Sequence, residues 1–509
     1  MSIYMKTNSQ IQIGIVLSYV ATAINSIITL AFTPLVIRLL GKSEYGLYNI
    51  SNSVVSYLGL LSFGFSNSFI RFYTRAKKEK DEDEVARVNG VFMIIFTAIA
   101  VLAVVAGTVI VMNLDIIFGA KLSAEELQRS RILIGILVVN IAITFPAYVY
   151  EANVMANERY LFQKVIYIIK IGLNPFVALP LILKGYGSYG MVFATLLMTI
   201  VSLVSNIWYC KKRLKIRFVF KGINIDVFKE IATFSSFIFL NMLVDQINWN
   251  LDQLIIGAKK GTEHVAVYSA GSQLNTCYLA VASTVSSVYI PRIHKLVLEG
   301  KKKDISDLFI GIGRIQFIIL GIVLGGFWLY GKYFIINIFA GKGYENAYYV
   351  ALWLMAPATI PYMQLLGVEI QRAKNQHKFR SLVYAVLALF NGIVSYLVCS
   401  MWGEIGCAAV TGISMLIGPG IIMNWYNHKY VGLDIPRFWK EILSITPSIV
   451  MAVIISFIIR EILPVLNMAT FLTEGIIYVI TLGGALWIFG LNEEEKKGIC
   501  GILFRKHKI

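Results

Sequence analysis

The chain has 509 residues, 57% of them hydrophobic and only 15% charged, with a net charge of +17. A soluble protein of this length needs about 25% charged residues to cover its domains, so a water-soluble globular chain is excluded. Stretches of about 20 apolar residues, the length that crosses a bilayer core, recur throughout, and the expected fold class is an all-α polytopic membrane protein.

Fourteen spans are expected in chain order: 11–37, 46–70, 88–112, 132–153, 162–183, 188–210, 231–257, 264–290, 307–330, 346–370, 380–400, 404–426, 442–462 and 470–490. The first is too long for a signal-peptide core and lacks a small-residue cleavage site, so it is expected to remain as a span. With the N-terminus in the cytoplasm, the segments 1–10, 71–87, 154–164, 211–230, 291–306, 371–380, 427–441 and 491–509 fall on the cytoplasmic side. They hold most of the 46 Lys and Arg residues. The seven opposite loops hold few. This positive-inside alternation accounts for most of the net charge, so nucleic acid is not expected as a partner. The expected setting is a bacterial plasma membrane, multi-pass, with both termini cytoplasmic.

Five cysteines (Cys210, Cys277, Cys399, Cys407, Cys500) are scattered, and their spacing fits neither a disulfide framework nor a metal site. Five histidines are isolated at span ends or in loops. No nucleotide-binding Gly-Lys motif is present. No connecting loop is large enough for the catalytic region of a membrane-embedded glycosyl- or acyltransferase. The chain is therefore not expected to be an enzyme or to carry a cofactor or metal.

Internal repeats organise the spans. "GKSEYGLY" (41–48) after span one matches "GTEHVAVY" (261–268) after span seven, and "NERYLF" (157–162) matches "NQHKFR" (375–380). "GSYG" (187–190) matches "GEIG" (403–406), and spans six and twelve both close on "WY". The offsets are nearly constant. They divide the chain into an N-terminal six-helix lobe (1–210), a cytoplasmic linker (211–230), a C-terminal six-helix lobe (231–426), and an extra helix pair with a basic tail (427–509). A six-helix unit returns the chain to its starting side, so the copies are parallel repeats.

Polar groups inside spans are functional candidates because each is costly in hydrocarbon. In "NMLVDQINWNLDQLIIG" (241–257), Asn241, Asp245, Asn248 and Asp252 share one helical face. That face is either a polar seam between helices or the lining of a central cavity that binds a coupling Na+ or H+. Span one carries a matching stripe, Ser18, Thr22, Asn25 and Thr29. Lys170 and Arg314 lie inside spans five and nine, where they either snorkel to the interface or meet an anionic substrate. Arg38, Arg71 and Arg292 lie at span ends, as topology anchors or ligands.

Several segments resemble a known family. "FTPLVIRLLGKSEYGLYNI" (32–50), "FGFSNSFIRF" (63–72), "LDQLIIGAKKGTEHVAVYSAGSQL" (251–274) and "YIPRIHKL" (289–296) resemble the polysaccharide, or Wzx-type, flippases of the multidrug/oligosaccharidyl-lipid/polysaccharide (MOP) exporter superfamily. The resemblance covers roughly residues 10–430. It implies two six-helix lobes that open alternately to either side of the membrane. It also implies export of an isoprenoid-diphosphate-linked oligosaccharide for capsule or surface polysaccharide, beside membrane lipids and polymerase and glycosyltransferase partners. Under it, Arg38, Arg71, Lys170, Arg292, Arg314 and Asn25 are candidates for the anionic head group, and Asp245, Asp252 and Asn248 for cation or proton coupling. Asp252 matches an acidic position common in the family, whereas Asp245 has no counterpart there. The alternatives are a lipid II-type peptidoglycan precursor flippase, a branch that also has fourteen helices, and a cation-coupled multidrug exporter of the same superfamily.

Overall fold

A computed structural model describes residues 2–79, 81–119, 121–221, 225–376, 378–493 and 495–496. His377, Cys500, His507, most of the expected basic tail and the side chain of Asn241 lie outside the described residues. Among those described there is no β-strand. The helices are α1 (Ser2–Leu58), α2 (Phe65–Lys78), α3 (Glu82–Met112), α4 (Leu114–Phe118), α5 (Ala124–Ala156), α6 (Tyr160–Leu181), α7 (Gly187–Tyr209) and α8 (Ile225–Lys260). They continue as α9 (Thr262–Leu298), α10 (Lys302–Tyr333), α11 (Glu345–Tyr362), α12 (Leu365–Ala373), α13 (Lys378–Met415), α14 (Met423–Tyr426), α15 (Ile435–Ile462) and α16 (Met468–Ala485).

Eight helical stretches among the described residues are long and apolar enough to cross a membrane, or nine if the bent pair α11 and α12 counts as one. Three of the eight are far longer than one crossing needs: Val20–Ser62, Tyr160–Leu214 and Lys378–Val431, with 43, 55 and 54 residues. Each contains a glycine off the helical backbone, Gly41, Gly185 and Gly403 respectively. Each therefore holds two of the spans expected from the sequence. In the second stretch the chain folds back on itself, since Leu181 packs on Gly190 and the Phe162 ring stacks on Tyr209 at 3.9 Å.

Two expected spans are not single straight helices. Span two is interrupted at Phe63 and Gly64, both left-handed (φ 47° and 68°), between a 3-10 turn and α2. Span ten is the pair α11 and α12, bent by 44°. A left-handed residue cannot continue a right-handed helix, which apolarity alone did not reveal.

The sequence repeat extends into the backbone. Gly41 and Gly261, the leading glycines of the first matched motif, both have positive φ (77° and 93°). Gly187 and Gly403, the leading glycines of the third, have φ/ψ of 51°/−131° and 55°/−138°, a conformation open to glycine and to little else. Phe162–Tyr209 has its counterpart in Phe379–Tyr426, stacked at 4.6 Å. A π-turn follows each "WY" pair, Cys210–Leu214 and Asn427–Val431.

The chain groups into two compact units, 1–269 with 385–407, and 270–384 with 408–509. Within the first, the run from Gly46 to Arg71 lies antiparallel to α8 along its length. Gly46 abuts the Thr262 carbonyl, Ser53 bonds Gln253, Gln246 bonds Ser56, Phe63 meets Phe239, Ser68 bonds Ser235, and Arg71 pairs with Glu230. An aromatic core of Phe69, Phe92, Phe96 and Phe145 anchors α2, α3 and α5. Within the second unit, α15 and α16 pack on α10 through Leu329, Ile445, Ala452, Tyr478 and Leu482. Gly325 on α10 leaves room for the Tyr478 ring, whose hydroxyl donates to the carbonyls of Gly321 and Ile322 at 3.2 Å.

Candidate functional site

The polar face of α8 is split between two surroundings. Asp252 is buried, 4% exposed, and accepts a 2.7 Å hydrogen bond from the Tyr268 hydroxyl on α9. Leu251, beside it, packs on Gly392 of α13, and Asp252 lies within electrostatic reach of Cys399 and Cys407. Cys407 in turn points its sulfur at the Ser395 carbonyl at 3.8 Å. Burying a carboxylate is costly unless it is hydrogen-bonded, and Tyr268 supplies that bond. Asp245, about two turns toward the N-terminus of α8, is exposed, and Asn248 is half-buried. Gln246 and Gln253, next to the aspartates on the helix, form the seam with Ser56 and Ser53, each at 2.5 Å. The sequence pointed to the aspartates but missed that their glutamine neighbours are the groups bonded to the run after Gly41. The signal was available, because Gln246 and Gln253 have the same seven-residue spacing.

Above Asp252, at the tip of the 385–407 segment, His264 Nδ1 lies 2.6 Å from Glu404 Oε2. The repeat places Glu44 opposite Ser188 in the same way, and Glu44 accepts 2.8 Å bonds from both the amide and the hydroxyl of Ser188. A polar pair thus ties the first motif to the third in both copies, with the acid on opposite partners. Sequence analysis treated His264 as isolated because Glu404 lies 140 residues away.

The candidate cations differ in their surroundings. Arg38 and Arg292 are exposed, on α1 and α9, and Asn25 is exposed on α1. Arg71 is 3.6 Å from Glu230, which also lies 3.8 Å from Arg75. Lys170 is half-buried in a pocket of about 250 Å³ with Glu151, Gln163, Lys164 and Asn206. Gln163 donates to Glu151 at 2.7 Å.

Arg314 has a full set of partners within the second unit. It is 4% exposed, and its guanidinium bonds Glu495 through Nε and Nη2 at 2.9 Å each. Through Nη1 and Nη2 it also reaches Glu441 at 2.6 Å and the Gly490 carbonyl at 3.1 Å. These partners lie on α15 and just beyond α16. A planar fork suits such bidentate contacts, and with them made, the side chain clamps the C-terminal helix pair to α10. Glu441 and Glu495 are far apart in sequence and lie outside the expected spans, so periodicity could not have assigned them.

Two further cavities lie one in each unit. An apolar groove of about 530 Å³ in the second unit is lined by Phe317, Gly321, Trp328, Ala356, Ile449 and Phe457. A polar pocket of about 450 Å³ in the first unit is lined by Glu44, Glu125, Arg129, Tyr186 and Tyr189 among others. Among the described residues no group of three or more His, Cys, Asp or Glu could hold a metal ion.

Residues 35–349, more than half of the chain, match the family described as polysaccharide biosynthesis protein. The chain belongs to that family. A candidate O-antigen transporter of Shigella flexneri is 19% identical over 424 residues, covering 79% of this chain and 94% of that protein. This polysaccharide biosynthesis protein has the fold of solved MOP transporters. The lipid II flippase MurJ in an inward closed conformation superposes with a TM-score of 0.71 at 16% identity, over 94% of this chain and 98% of MurJ. An inward-facing multidrug resistance MATE transporter of the MOP superfamily superposes with a TM-score of 0.65 at 14% identity, over 83% and 99%. The family and its relatives are transporters and flippases, not enzymes, and the chain is a multi-pass, all-α membrane protein of MOP-like fold.

Proposed function

We propose that this protein is a flippase that moves isoprenoid-diphosphate-linked oligosaccharide units from the cytoplasmic to the outer leaflet for surface polysaccharide synthesis. The observation that carries this reading is the family match over residues 35–349 on a MOP transporter fold. The S. flexneri relative, described as a candidate O-antigen transporter, supports a glycan cargo. The polysaccharide family favours this cargo over a drug. Alternating access would come from the two repeats, whose matched glycine turns and aromatic stacks give each copy the same hairpins.

The energetics fit an anionic cargo. Outward movement of negative charge across an inside-negative membrane is favourable by about 2.3 kcal/mol per charge per 100 mV. Arg38, Arg71, Lys170 and Arg292, together with Asn25, are the residues we assign to the diphosphate during transit. Asp252, held by Tyr268, is the residue we assign to coupling by Na+ or H+, with Asp245 and Asn248 on the same face. The apolar groove of the second unit suits an isoprenoid chain.

Deletion of the gene tests the reading. Lipid-linked oligosaccharide should accumulate on the cytoplasmic leaflet and clear on complementation. A deletion strain that changes only its drug sensitivity would instead assign the protein to cation-coupled drug export.

A further inference from the structure

The polar pocket of the first unit is not explained by head-group binding or by ion coupling. It is built from three segments: the turn after Gly41, the first turns of α5, and the glycine hairpin between α6 and α7. The alternation of basic loops puts all three on the side opposite the cytoplasm. Its volume of about 450 Å³ falls within the range of small-molecule sites.

The lining is positioned by its own bonds. Arg129 lies 2.8 Å from Glu125 and 3.6 Å from Glu44, and Glu44 is fixed from the other side by Ser188. Gly185, with a φ of 89°, has open space where a side chain would be, and brings Tyr186 to the rim, 57% exposed. Tyr189 and Gln128 complete the wall.

The chemistry of this lining selects a ligand class. Two carboxylates against one guanidinium leave the pocket with a negative balance, which disfavours an anion. Ionised groups that accept and donate strong hydrogen bonds stand beside two tyrosines, each offering an apolar ring face with a polar tip. A neutral sugar has the complementary surface, hydroxyls around its edge and an apolar face of C–H groups. We propose that this pocket binds a neutral saccharide unit of the glycan at the outer face. This assignment rests on the flippase reading and adds to it a place where the glycan is held after its lipid has crossed.

Saturation-transfer NMR on the detergent-purified full-length protein tests the assignment. The probes are glucose, galactose, rhamnose, N-acetylglucosamine, N-acetylgalactosamine and, as the charged control, glucuronate. At least one neutral sugar should receive saturation, and the signal should fall by about fivefold or more in Tyr186→Ala and in Gln128→Ala. Both residues are exposed, so the variants should keep the wild-type melting temperature. If Tyr186→Ala lowers it, Tyr186→Phe, which keeps the ring, should bind as wild type does. Absence of any signal sensitive to these substitutions, or preference for glucuronate, would overturn the proposal. Complementation of the deletion strain is read separately. Normal export without sugar binding sinks the pocket alone, whereas sugar binding without export sinks the flippase reading on which it rests.

Discussion

Asp252 and Arg314 show how differently two buried charges can be used. Asp252 accepts a hydrogen bond from Tyr268, in a setting of cysteines and small residues. Its substitution by Asn keeps the shape and removes the charge. Asp252→Asn should cut export at least about tenfold with protein levels near normal, as expected for an ionisable group that marks an ion pathway. A collapse in membrane abundance, measured by immunoblot, would mean that it serves packing instead. Arg314 has its bonds filled by α15 and the segment after α16, and Arg314→Ala would leave half-buried Glu495 without its guanidinium partner. Breaking such a pair costs about 3–5 kcal/mol, so the melting temperature of the purified protein should drop while Asp252-dependent coupling persists. The same clamp sets an acid limit. Burial pushes the Glu495 carboxyl up, but the bonds from Arg314 and from the Asn492 backbone outweigh it and hold it below the usual carboxylate range. A depressed carboxylate stabilises the fold fully above its ordinary value of about 4.3 and loses that contribution as pH falls through the lower folded value. Hydrogen-exchange protection at Leu486–Gly490, corrected for the intrinsic rate, should therefore fall below about pH 4, and Glu495→Gln should abolish that dependence.

At the level of elements, glycine decides where long apolar helices reverse. Gly187 and Gly403 share one backbone conformation, and a Cβ on Gly187 would run into the Glu44 carboxylate. Gly187→Ala should cost about 1–3 kcal/mol through backbone strain plus the displaced Glu44–Ser188 bonds. Gly172→Ala is the control, in open space on α6, and should leave thermal stability unchanged; equal losses in both would refute the special role of the hairpin glycine. These turns were legible in the sequence because the repeated motifs carry their glycines at a nearly constant offset. The break at Phe63 and Gly64 and the bend between α11 and α12 were not. Hydropathy averages over a window, and a single left-handed residue inside an apolar run leaves that average unchanged. The aspartates of α8 stood out by type, but their partners did not. Tyr268 looks like an ordinary residue until the fold brings it within bonding distance of Asp252.

For the whole molecule, composition and loop charge were enough to establish a polytopic helical protein, because lipid permits only a few backbone solutions. The motif resemblance reached the family, and the match over residues 35–349 bears it out. The cation positions were the least legible part of the candidate site. Lys and Arg near span ends look alike in sequence whether they anchor topology, pair with an acid as Arg71 does with Glu230, or clamp helices as Arg314 does. The central claim is that this chain moves a lipid-linked oligosaccharide across the membrane, and reconstitution tests it most directly. Proteoliposomes containing the purified protein and a fluorescent isoprenoid-diphosphate oligosaccharide should expose the inner-leaflet lipid to an external glycan-cleaving enzyme. The fraction cleaved should rise from about half, the outer leaflet alone, toward completion, and Asp252→Asn should slow that rise by about tenfold. Cleavage that stops at half with the wild-type protein would contradict the account.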